Sequence, residues 1–167
     1  LEAPSLMPMA ISLVEQLETD LFSTSGSDPL SVWFSPEAAS YVRAIEVSIN
    51  QTLGPFDDYK KLTSSAALEK VSPLAAFFYV ALFCAVRRLL TYFIPTNPTW
   101  TKKPQNQKDR ENPSRSAINE AFLLEVKRLT PKIFSSHINS DEKKTAVIEM
   151  GNAERIRLID RSVDAVI

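Results

Sequence analysis

The sequence predicts a helix-rich α/β fold, with several helices around a central apolar helix at about residues 73–93 and a few short parallel strands. An all-α bundle is the alternative. Three observations carry this. Ser35-Pro36 and Ser72-Pro73 each precede a long run of apolar residues at helical spacing. Three glycines against eleven prolines, with 44% apolar residues, describe a chain without the glycine turns of a β-sandwich. Short apolar runs at Leu21-Phe22 and Ile156–Ile159 are bounded by turn residues and fit strand ends. At 167 residues the chain is long enough to bury one core of its own.

The first periodic segment covers roughly residues 9 to 22, with Ala10, Leu13, Val14, Leu17 and Leu21 on one face. It runs into the Ser-Thr-Ser-Gly-Ser-Asp-Pro loop at 23–29. Ser35 is placed to cap a helix, Pro36 to preset φ at its first position, and Glu37 to sit near the positive end of its dipole. Ala38, Val42, Ile45 and Ile49 face inward, and Gly54-Pro55 stops the element. Ser72-Pro73 repeats the start signal for the most apolar helix.

That helix raises the question of a membrane. Leu74 to Val86 is thirteen residues without a charge, which as a helix covers about 20 Å against a hydrocarbon core of about 30 Å. Arg87-Arg88 then interrupts the run, and two arginines at mid-span would cost several kcal/mol in lipid. The sequence therefore predicts the central helix of a protein core, with the arginines where it leaves that core and at most peripheral membrane contact.

Residues 95–116 differ in kind. Pro95, Pro98, Pro104 and Pro113 alternate with Lys102, Lys103, Lys108, Arg110 and Arg115, which predicts a mobile basic loop. Trp100, an aromatic in such a setting, is with Lys102 and Lys103 the candidate for contact with a partner protein. A helix is expected from about Ser114 or Ser116 to Leu129, with Ile118, Phe122, Val126 and Leu129 inward, and Thr130-Pro131 is expected to punctuate it and start another turn or two through Ile138. Residues 155–166 fit either a strand, Ile156 and Leu158 inward, or a helix carrying Ile156, Ile159, Val163 and Val166 on one face.

The chemistry is limited by what the chain contains. Gly26, Gly54 and Gly151 lie far apart, so neither a dinucleotide fingerprint nor a phosphate-cradling loop can be built from them. His137 is the sole histidine and Cys84 the sole cysteine, far apart in sequence. That pair offers no metal site, no nucleophile with its base and no internal disulfide. Asp57-Asp58 and Asp141-Glu142 are carboxylate neighbours that point different ways and suit solvated turns. A net charge of −1 and a pI near 5.9 remove the electrostatic case for nucleic acid. No cofactor and no enzymatic activity are expected. A reducing, cytoplasmic setting fits the lone cysteine. With Leu1-Glu2 at one end and the apolar Val166-Ile167 at the other, a single domain or a domain fragment of a longer protein is expected.

The segment Leu158-Ile159-Asp160-Arg161-Ser162-Val163-Asp164 resembles the apolar-apolar-Asp-Arg-x-apolar-Asp stretch of the SM (Sec/Munc-type) syntaxin-binding proteins, which regulate SNARE-driven membrane fusion. Glu18 to Ser23, the apolar helix running into Phe93-Ile94-Pro95, and the helix after Ser114 follow in compatible order. The resemblance implies a non-enzymatic scaffold for vesicle and protein transport that contacts SNARE-type helices. It also implies a structural role for Leu158, Asp160, Arg161 and Asp164 at a strand end, where Arg161 would be held by a carboxylate at a domain junction.

Overall fold

A serine side chain sets the start of two helices as expected. Ser35 Oγ accepts from the Ala38 amide at 3.2 Å, and Ser72 Oγ accepts from the Ala75 amide at 3.0 Å, each with proline at the first helical position. A computed structural model describes residues 3–17, 28–54, 72–94 and 101–138 of the chain. They form α1 (Ala3–Glu15), α2 (Pro36–Leu53), α3 (Pro73–Leu89) and α4 (Arg115–Ile138). Among the described residues there is no strand, only an isolated parallel bridge between Phe34 and Glu111. The α/β expectation is corrected to the all-α alternative for this part of the chain. The physical reason is that the apolar faces repeat at helical spacing, and each helix finds a partner without a sheet. The runs at Leu21-Phe22 and 155–161 that suggested strands lie outside the described residues.

Hydrogen bonds at the helix ends fix the directions. Ser72 Oγ also donates to the Leu53 carbonyl at 3.0 Å, which joins the end of α2 to the start of α3. After α3 and a 3-10 turn at Thr91–Phe93, the Phe93 carbonyl accepts from the Lys102 amide. The Lys102 carbonyl in turn accepts from Trp33 Nε1 at 2.8 Å, just ahead of α2. Thus α2 and α3 run antiparallel. The start of α4 lies beside the start of α2: Tyr41 OH donates to Asn119 Oδ1 at 3.0 Å, and the Arg115 guanidinium sits 5.5 Å from the centre of the Tyr41 ring. Ser48 Oγ on α2 donates to the Leu13 carbonyl near the end of α1. Helix α4 packs against both α3 and α1.

One core results. Leu13 from α1, Phe34, Ile45 and Ile49 around α2, Phe78 from α3, and Ile118 and Phe122 from α4 are almost fully buried. Phe78 lies edge-on to Phe77 at 5.2 Å and tilted to Phe122 at 6.2 Å. Each such side chain contributes about 1.5–3 kcal/mol on burial, so the aromatic seam between α3 and α4 is a main source of cohesion.

Three boundaries differ from expectation. Helix α1 begins at Ala3, not near residue 9, and carries Pro8 inside it. Buried Leu6 extends the stripe of Ala10, Leu13 and Val14 backwards by one turn, and that packing offsets the one backbone bond a proline forfeits. It ends at Glu15, so Leu17 follows the helix, half-buried against the core. Helix α4 runs through Thr130-Pro131 to Ile138. Pro131 lies on the exposed side with Lys127, whose carbonyl is the one left without its helical donor, and Thr130 Oγ1 bonds the Val126 carbonyl at 2.7 Å. Gly54 closes α2 with extended backbone, φ −124° and ψ 130°. The stop therefore comes from the following proline, which disfavours helical geometry at residue 54, and not from a left-handed cap.

The described part of the basic loop, 101–114, is laid along the start of α2. The Glu111 amide donates to the Trp33 carbonyl and its carbonyl accepts from the Ser35 amide, both at 2.8 Å. Ser35 Oγ donates to Asn112 Oδ1 at 2.7 Å, and a short 3-10 turn forms at Gln107–Asp109. Its main chain thus finds partners that its composition does not reveal.

Candidate interaction face

The apolar run in α3 has two sides. Ala75, Phe78, Leu82 and Ala85 recur at helical spacing and are buried. Val80 and Phe83 fall on the opposite side and are 52% and 62% exposed. These are large apolar side chains within the uncharged run of α3. Next to them on the same helix lies half-buried Cys84, and the Arg128 side chain of α4 reaches it. One turn before Arg128 on α4, Leu124 is 47% exposed. Helices α3 and α4 pack against each other, and Val80, Phe83 and Leu124 are among their outward apolar side chains.

Between these helices lies a charge network. Glu125 of α4 is 2% exposed, the one buried charged side chain among the described residues. Its Oε1 accepts from Arg88 Nε at 2.8 Å and from Arg88 Nη2 at 2.5 Å, and its Oε2 accepts from Arg128 Nε at 2.6 Å. Burial works to raise the carboxyl pKa, but the hydrogen bonds and charges of Arg88 and Arg128 outweigh it and hold Glu125 below its ordinary value. The Arg128 guanidinium is correspondingly pushed up, first by its hydrogen bond to Glu125. Arg88 thus sits where α3 leaves the core, and it pins α3 to α4.

A second ion pair orders the entry to α2. Asp28 caps the 3-10 turn at Pro29–Val32 by accepting from the Leu30 amide, and it accepts from Arg43 Nε and Nη2 at 2.8 and 3.0 Å. Arg43 also donates to Glu46. Hydrogen bonding to Asp28, against some opposition from burial and with help from Glu46, raises the Arg43 pKa further. Near Glu46, the Tyr79 phenol is pushed up to about 12, by burial first and by the Glu46 charge second. A cleft of about 310 Å³ opens where α2 and α4 begin, lined by Glu37, Tyr41, Asn112 and Arg115 among others.

The residues singled out in the sequence fall as follows. Leu158, Asp160, Arg161 and Asp164 lie outside the described residues, as do Trp100, Asp57-Asp58 and Asp141-Glu142. Lys102 and Lys103 are exposed. Trp33 donates to the Lys102 carbonyl. His137 is in the last turn of α4, and Cys84 is on α3 far from it in sequence. Among the described residues no three His, Cys, Asp or Glu side chains come together as a metal site, and no helix is long and apolar enough to cross a membrane. Sequence reasoning missed Val80 and Phe83 by treating the whole run as core, although helical geometry puts them opposite Phe78 and Leu82. It also missed Glu125, whose partner Arg88 lies on another helix.

No protein-family model, curated protein or solved structure matches this chain.

Proposed function

We propose that this chain is a non-enzymatic, all-α protein-interaction module acting in the cytoplasm, and that the outward face of α3 is its contact surface. The observation that carries the reading is the exposure of Val80 and Phe83, at 52% and 62%, within the uncharged run from Leu74 to Val86 of α3. Apolar side chains grouped on one surface mark interaction sites more often than chance exposure does. The described ionisable groups with displaced pKa values support it too. Glu125 and Arg43 are engaged in ion pairs that join elements, through Arg88 and Asp28, and Arg128 pairs with Glu125 within α4.

The narrower form of this reading, a regulator of SNARE assembly, is supported by Leu158, Asp160, Arg161 and Asp164 in the sequence. Exposed Lys102 and Lys103 would add a basic contact. The test is affinity capture from a cytoplasmic extract with the wild-type chain and with Phe83→Ser. A specific set of proteins retained by wild type and lost by a variant of unchanged circular dichroism and melting temperature is the expected result. An assembled SNARE helical bundle, offered separately, tests the narrower form. Equal capture by both chains would sink the assignment of the α3 face.

A further inference from the structure

We draw no further inference here: the strongest candidate, the outward apolar side of α3 at Val80 and Phe83, belongs to the contact surface already proposed, and nothing in the structure shows what covers it.

Discussion

Replacing Arg88 with methionine keeps most of the aliphatic stem and removes both hydrogen bonds to Glu125 Oε1. The carboxylate is 2% exposed, while the Arg88 side chain is 46% exposed. Deleting one partner of a fully buried ion pair costs about 3–5 kcal/mol, and deleting one of an exposed pair costs about 0.2–1 kcal/mol. Here the acid belongs to the first case and the base to the second, and Arg128 still holds Oε2. A loss of about 2 kcal/mol follows, or a fall in Tm of about 4–8 °C for a chain of this size. The sign with pH is set by Glu125. Its folded pKa lies below the ordinary value, so its stabilising contribution is complete above the unfolded pKa of about 4.3 and fades as pH falls through the folded pKa. Arg88→Met raises the folded pKa, because burial is then opposed by Arg128 alone. The gap between the two proteins should be widest near pH 7 and close towards pH 3. Differential scanning calorimetry at both values checks this. A variant within about 1 °C of wild type at pH 7, or a gap that does not change with pH, would refute the buried-network account.

Leu82→Asp should abolish cooperative melting or precipitate the chain, since Leu82 is 6% exposed and an unpaired buried carboxylate costs several kcal/mol. Ser72→Ala should cost about 1–2 kcal/mol by chemical denaturation, whereas Ser72→Asp should recover only the cap, because it can accept from Ala75 but cannot donate to the Leu53 carbonyl. Trp33→Phe removes the bond to the Lys102 carbonyl and should speed tryptic cleavage after Lys102 more than after Lys108; equal acceleration at both would argue against a local tether. Absorbance titration should show one tyrosinate forming only near pH 12 and absent in Tyr79→Phe. This raised phenol pKa stabilises the fold below the unfolded value of about 10, and the contribution is lost as pH rises towards 12.

What was legible in the sequence was the chemistry confined to a few neighbouring residues. Ser35-Pro36 and Ser72-Pro73 specify their helices because cap, proline and first apolar residue act within one turn. Proline at 131 misled for the same reason. Its local preference is to break a helix, and the packing of α4 on α3 and α1 overrides it. The ion pair of Arg88 and Glu125 spans 37 positions, and nothing in a helical Glu-x-x-Arg pair tells a buried glutamate from a solvated one. The docking of 101–114 was hidden because it is made largely by main-chain groups, which composition does not encode.

The division of sizes around α3 bears on what the chain is for. Its inward side includes three buried alanines, Ala75, Ala81 and Ala85, while Val80 and Phe83 point outward. Small residues inside let the neighbouring helices approach closely, and the cohesion then comes from Phe77, Phe78 and Leu82. A phenylalanine at 83 adds nothing to that core, and replacing it with serine removes apolar surface from water without opening a cavity. Its presence is not explained by folding on these contacts. The same reasoning separates the two faces experimentally: substitutions at 78 or 82 act on stability and impair binding only through it, whereas those at 80 and 83 leave stability unchanged and act on binding alone. An interaction module requires that separation, and a helix whose apolar surface served only the core would not show it.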